Sequence, residues 1–485
     1  MHITELQPQK VWKYFNAITK IPRPSKREEK IIAYLLDFAK TRNLEAERDE
    51  VGNVLIRKPA SKGMEDRKSV VLQSHSDMVC EKNADVVHDF DKDPIETVVE
   101  GDWVKAKGTT LGADDGIGIA ASLAILDSDD IPHGPLEVLI TADEETGMSG
   151  AFGLKPGFFK SKILINLDSE DEGELFIGCA GGIDTSAFFD YKRKGVPNNS
   201  LARKISVTGL KGGHSGDEID KGLGNAVKIL NRILWNASAK FDLRIHNIKA
   251  GNLRNAIARE GFASIVIPEK NLSDFNDYLA DISSDIKKEY AQTEKNLAIE
   301  AEKAEMPDFV IDEDTQHRLL NSIYACWHGV YAFSASLEDM VETSTNLASV
   351  KFLEGNRIQV ETSQRSSVDS AKYDMAYTVG AAFRLAGAEV RHGSGYPGWQ
   401  PNPDSEIMQV TEKSYKKLFE LQPEVKAIHA GLECGLFLEK YPGTDMISFG
   451  PTIKGAHSPD ERISIETTQK FWDLLLDVLK NIPKK

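Results

Sequence analysis

Short β-branched runs alternate with helical patterns through the first part of this chain. VGNVLIRK, SVVLQSHSD, PLEVLITADEE and KILINLDSE read as strands. KREEKIIAYLLDFAKTRN places Ile31, Leu35, Phe38 and Ala39 at helical spacing, and GIGIAASLAILDS is a helix of small and apolar residues between the second and third strands. Strands separated by helices imply a largely parallel sheet covered on both faces. In such sheets ligands gather outside the carboxyl ends of the strands. Those ends carry His75, Glu144, Glu145 and Asp168.

The stretch VVLQSHSDMV turns abruptly from apolar to polar at His75 and Asp77. Residues two apart in a strand share a face, so the imidazole and the carboxylate leave the strand end on the same side. That arrangement holds either a metal-binding histidine or a histidine acting as a base, and the stretch alone leaves both open.

At 485 residues the chain is too long for one ordinary core, and two domains are expected. Hydrophobic content of 41% and charged content of 28% are those of a soluble globular protein. No run approaches the roughly 18 apolar residues of a membrane helix. The N-terminal MHITELQPQKVWKYF lacks the apolar core of a signal peptide, so a cytoplasmic location is expected. A formal net charge of −16 argues against nucleic-acid or anionic-membrane partners. The four cysteines (Cys80, Cys179, Cys326, Cys434) stand singly, with neither zinc-finger spacing nor a disulfide framework. A catalytic metal would therefore be held by histidines and carboxylates.

After about residue 185 the texture changes to KISVTGLKGG, the helix GNAVKILNRILWNA, a charged stretch read as a solvated helix face, the strands NLASVKFL and NRIQVETS, and a helix near 370–387. From GYPGWQPNP onward the strand–helix rhythm returns, closing on an amphipathic helix near 465–482. The expected fold is α/β: residues 1–185 and 396–485 form one domain, a mixed, mainly parallel sheet between helices. It is interrupted by an inserted α+β domain over 186–395.

Two motifs fail on inspection. The acids from Asp89 follow calcium-loop spacing, but Pro94 stands where the turn requires glycine. GADDGIGIA lacks G-x-G-x-x-G order, and Asp114 and Asp115 would repel a pyrophosphate. Singly, an acid cluster at a strand end or a loop histidine is ordinarily a solvated surface feature. Together His75, Asp114, Glu145, Asp168 and His457 offer two histidines and three carboxylates, a donor set that suits two zinc ions. A carboxylate bridging both would hold them about 3.5–4 Å apart. Glu144 is a spare acid beside a ligand.

The ordered motifs HSDMV, TTLGADDGIG, EETGMSGAFGL, INLDSE, LKGGHSGDEI, GNLRNAI, HAGLECGLF and GPTIKGAHSPDE resemble the di-zinc aminopeptidase/aminoacylase/carboxypeptidase clan nearly end to end, most closely its aminoacyl-histidine dipeptidase family. The resemblance implies a di-zinc exopeptidase-like catalytic domain with an inserted lid and dimerisation domain. It implies two divalent ions per chain, zinc first, with cobalt or manganese as substitutes. Asp114 bridges them, with His75 and Asp168 on one ion and Glu145 and His457 on the other. Asp77 orients His75, Glu144 is the general base, and the Asp114–Asp115 peptide is cis. His214, Asn255 and Arg365 match substrate-binding positions. His429 and Glu433 receive no role. The implied activity is hydrolysis of dipeptides of the Xaa-His type, including β-Ala-His, by a homodimer. An N-acyl amino acid deacylase, a tripeptide aminopeptidase and a non-catalytic metal-binding protein are the alternatives, the last disfavoured by Glu144 and His214.

Overall fold

The computed structural model describes residues 2–485. The chain divides into two compact units. The first comprises Met1–Cys179, Trp399–Ala427 and Leu432–Lys485, and the second Ala180–Gly398 and Ile428–Gly431. The short segment 428–431, carrying His429, thus groups with the second unit, although the sequence expectation leaves it with the returning outer segment.

The first unit is built on an eight-stranded mixed sheet. Its centre is four parallel strands in the spatial order Leu136–Thr141, Val70–His75, Ile163–Asn166 and Asp445–Ser448. Val54–Lys58 and Glu174–Cys179 flank this centre in antiparallel register. The central strands Val70–His75, Leu136–Thr141 and Ile163–Asn166 are buried at every position, which is why they read as continuous apolar runs rather than as alternation.

Helix Glu29–Thr41 buries Ile31, Ile32, Leu35, Phe38 and Ala39 on one face. The closing helix Ile465–Asn481 buries Phe471, Leu474, Leu475, Val478 and Leu479. Helix Ala113–Leu126 is buried almost throughout, which its run of glycines and alanines permits. At Gly118 an added Cβ would lie 2.4 Å from Asp115 Oδ1 and 2.7 Å from Ser74 Oγ. Glycine there lets the helix lie close against the strand that ends in His75. The peptide between Asp114 and Asp115 is cis, and both residues have non-helical backbone.

The second unit is a nine-stranded sheet whose pairs are antiparallel. Helices Ala226–Phe241, Leu272–Glu289, Glu313–Ala325 and Asp369–Leu385 contribute to its core. The charged stretch read as one helix face is helix Leu272–Glu289 followed by the edge strand Ala298–Lys303. Strand Gly181–Asp190 escapes the sequence reading because Gly-Gly opens it. Its alternate residues Ile183, Thr185, Ala187 and Phe189 are nonetheless buried.

Gly118→Ala gains about 1 kcal/mol of helix propensity. It should still be destabilised by about 1–3 kcal/mol, because the methyl has no room. The denaturant midpoint measures this, and a midpoint at or above that of the unaltered protein would contradict the close approach.

Candidate functional site

Four of the expected site residues follow directly from the sheet. His75 ends one central strand, Glu144 and Glu145 follow the next, and Asp168 lies two residues past the third. Asp114 comes from the irregular start of helix Ala113–Leu126. His457 comes from the turn between strands Ile453–Lys454 and Arg462–Ser464, in a left-handed backbone conformation with φ 62°.

These residues converge. His75 Nε2 lies 2.9 Å from Asp114 Oδ1 and 3.3 Å from Asp168 Oδ1. His457 Nε2 lies 3.1 Å from Asp114 Oδ2 and 3.0 Å from Glu145 Oε2. The result is two trios, His75–Asp114–Asp168 and Asp114–Glu145–His457, each with its ligand atoms within 4.8 Å of one another. Asp114 belongs to both, one oxygen to each.

Asp77 does more than the sequence suggests. Its Oδ1 lies 3.3 Å from His75 Nδ1, too far for a strong hydrogen bond. The same carboxylate accepts from the Glu144 N–H at 3.0 Å, the Glu145 N–H at 3.2 Å and the Ser25 hydroxyl at 2.7 Å. It therefore fixes the turn bearing Glu144 and Glu145 as well as facing His75. Burial pushes its carboxyl up, but the His75 imidazole first, then the Ser25 hydroxyl and the Glu144 N–H, outweigh it and hold the group at about 2.

Asp114 is also held below the carboxylate range, His457 and His75 outweighing its burial, whereas several other carboxyls here are pushed the other way. Burial raises Glu144 well above the carboxylate range; His75 opposes, and the charges of Glu433, Glu145 and Asp114 reinforce the rise. Burial likewise raises Asp168, opposed by His75 and reinforced by Asp114. It also lifts Asp115 and Glu433 to about 7 and Glu170 to about 8. Glu145 Oε1 is buried with no hydrogen-bond partner. An excess of buried acids, an unsatisfied carboxylate oxygen and two imidazoles form a donor set fit for divalent cations.

Two buried groups here, Arg23 and Glu461, escape the sequence reading, and a third, Glu433, is singled out there without a role. Glu433 accepts from Thr141 Oγ1 and Gln73 Nε2, both at 2.7 Å. The Arg23 guanidinium donates to Ser76 O at 3.2 Å, to Asp77 O, and to Gly112 O at 2.5 Å. Glu461 accepts from the backbone of the Asp114 loop. Glu461 stands in the same HSPDE motif as His457, so its signal was present; nothing around Arg23 marks it.

In the second unit His214 pairs with Ala256 across a short ladder, and Ser215 N donates to the carbonyl of Asn255 at 2.9 Å. His214 and Asn255 are thus neighbours. His214 Nδ1 lies 3.0 Å from Asp217 Oδ2. Arg365 is buried, its Nη1 donating to Tyr396 Oη at 3.0 Å and its Nε without a partner. His429 Nε2 lies 2.7 Å from Ser344 Oγ, and burial with the Arg365 charge pushes the imidazole down to about 3, so it is neutral. Asp217 senses His214, Arg365 and His429 together.

The family profile described as peptidase family M20/M25/M40 matches residues 71–481. The cytosol non-specific dipeptidase of Escherichia coli (strain K12) is 46% identical over 486 residues, covering 100% of this chain and 99% of that protein. The crystal structure of aminoacylhistidine dipeptidase from Vibrio alginolyticus is similar at a TM-score of 0.92 and 44% identity, covering 100% of this chain and 99% of the other. Aminopeptidase PepT from Bacillus cereus ATCC 10987 shares the fold at a TM-score of 0.58 and 15% identity, covering 98% of this chain and 99% of the other.

Burial pushes Glu144 and Asp168 toward their protonated forms, so binding of divalent ions should expel about one proton or more per chain at pH 7. Calorimetric titration of chelator-stripped protein with zinc, repeated in buffers of different ionisation enthalpy, measures the number. A heat independent of buffer would show that the carboxyls are already ionised.

Proposed function

Since the chain belongs to peptidase family M20/M25/M40, a metal-dependent family of hydrolases acting on peptide bonds, we propose that it cleaves dipeptides, those with a C-terminal histidine among them. The names of its two close relatives, one non-specific and one aminoacylhistidine dipeptidase, support a broad dipeptide range that includes Xaa-His. The cytosolic relative supports the same location here, and no helix among the described residues is long and apolar enough to cross a membrane. We assign the chain to a homodimer; exposed Trp327, Tyr331 and Phe333 on the second unit supply apolar surface for one.

The observation that carries the reading is the pair of trios sharing Asp114 beside Glu144. His75 and Asp168 would hold one divalent ion and Glu145 and His457 the other, with Asp114 common to both. Zinc suits the mixed imidazole and carboxylate donors, and cobalt or manganese could replace it. Such a pair supplies Lewis acidity, bringing the pKa of a water toward neutrality and polarising the scissile carbonyl. Glu144 takes the proton from the attacking water and returns it to the leaving amine. Its pKa, raised chiefly by burial, suits a group that must accept a proton. Asp77 keeps the Glu144 peptide in place through the bond to its N–H. We assign His214, whose Nδ1 lies 3.0 Å from Asp217 Oδ2, to stabilising the developing oxyanion. Asn255 lies beside it as a further polar contact for substrate.

Glu144→Gln should retain both metals and the fold while turnover falls by at least about 100-fold, whereas His75→Ala should lose metal. Elemental analysis and turnover measured together test this; near-normal turnover in Glu144→Gln would remove the assigned base.

A dipeptidase also needs a cation for the free C-terminal carboxylate. Arg365 has an unpartnered buried Nε, and guanidinium offers a carboxylate two parallel hydrogen bonds. Amidating the C-terminus of the dipeptide should lower kcat/KM by about 2–3 kcal/mol. Arg365→Ala should lower it similarly for the free acid and little further for the amide. Equal cleavage of acid and amide would dismiss the clamp.

A further inference from the structure

The loop that delivers Asp114 exposes a row of backbone N–H groups just where helix Ala113–Leu126 begins, and helix starts leave such donors without partners in the helix itself. Here they meet one distant side chain. Glu461 Oε2 accepts from Leu111 N at 2.7 Å and Gly112 N at 3.0 Å, while Oε1 accepts from Ala113 N at 2.7 Å and Asp114 N at 3.4 Å. Glu461 is 2% exposed. With both oxygens engaged by the loop, it is occupied as a fastener.

Arg23, 3% exposed, holds the same loop through the opposite kind of group. Its Nη2 donates to Gly112 O at 2.5 Å, and its Nη1 donates to Ser76 O and Asp77 O beside His75. Gly112 has φ 69°, and an added Cβ would lie 2.7 Å from Arg23 Nη2, so this approach requires glycine. Glu461 also lies four residues beyond His457, directly before strand Arg462–Ser464. One hairpin therefore reaches Asp114 twice: His457 Nε2 is 3.1 Å from the Asp114 carboxylate, and Glu461 accepts from the Asp114 backbone.

We infer that Glu461, opposed by Arg23, is a positioning residue that sets the separation of the two halves of the metal site. It locks the Asp114 loop to the His457 hairpin, while Arg23 locks that loop to the end of the His75 strand. The inference rests on the metal-pair reading above. Groups behind the direct ligands typically govern metal affinity by about 10- to 100-fold.

The full-length protein, stripped by chelator, is titrated with Zn²⁺ against a chromophoric chelator, and its cobalt-loaded form is examined by visible absorption. Glu461→Gln keeps the size but turns an amide N–H₂ toward backbone donors. Its weaker zinc affinity should fall by about 10- to 100-fold, with an altered cobalt spectrum. At saturating zinc kcat should drop while KM for the dipeptide holds. Glu461→Asp, retaining both oxygens, should restore part of the affinity. Glu137 provides the comparison: it is buried in the same unit and accepts from Lys160 N, Ser161 N and Ser161 Oγ, all at 2.7–2.9 Å. Glu137→Gln should lower the melting temperature without touching zinc affinity. Should Glu461→Gln fail to fold, Arg23→Lys, which keeps the charge but not the fork, must show the same affinity loss. Unchanged affinity and spectrum in these variants, or an equal loss in Glu137→Gln, overturns the role of Glu461. Fewer than two zinc ions in the unaltered protein overturns the metal-pair reading itself.

Discussion

Repulsion among buried carboxylates is the constraint around which the first unit is organised. Asp77, Asp114, Glu144, Glu145 and Asp168 crowd around His75 and His457, with Asp115, Glu170 and Glu433 close enough to act on the same groups. Isolated buried charge is far too costly to persist. Some of these acids are satisfied by backbone N–H groups, as Asp77 is by Glu144 and Glu145. Burial pushes others, Glu144 and Asp168 among them, toward the protonated form. The rest of the relief is a task for cations, which is why a binding site of this composition is also a folding problem.

The scaffold answers that problem with rigidity. Four parallel strands bring three acid-bearing segments to one edge without long loops, so His75, Glu145 and Asp168 each lie within a few residues of a fully buried strand. A loop-borne cluster of like charges would spread apart. This one is held by side chains whose backbone has no room to yield, such as the helix fixed against Ser74 at Gly118.

The legible part of this site in the sequence follows the same logic. A parallel sheet writes its strands as apolar runs, and a polar residue breaking such a run marks its carboxyl end, so His75, Glu144, Glu145 and Asp168 could be located from pattern alone. Their pairing into two trios could not, because Asp114 and His457 come from a helix start and a hairpin whose positions in space depend on tertiary packing. Arg23 and Glu461 were less visible still, since each acts on backbone groups that every residue possesses. The strand Gly181–Asp190 was hidden for a local reason: its paired glycines and terminal aspartate interrupt the β-branched signature, although burial alternates through it.

Register is the remaining requirement, and a buried polar belt supplies it. Ser448 Oγ donates to Asn166 Oδ1 at 2.5 Å, Asn166 Nδ2 to Gln73 Oε1 at 2.6 Å, and Gln73 Nε2 to Glu433 Oε2 at 2.7 Å. Thr141 Oγ1 donates to the same Glu433 oxygen at 2.7 Å. The chain of bonds therefore crosses all four parallel strands just below the ends that carry the ligands. Apolar contacts alone tolerate sliding, whereas a one-residue slip of any strand would leave several of these buried groups unpaired and reverse which face each side chain occupies. Glu433 closes the belt and is also the charge that adds most to burial in raising Glu144. The same carboxyl that pins the strands in register thus helps set the proton affinity of the acid they present, which ties the accuracy of the fold to the chemistry at its edge.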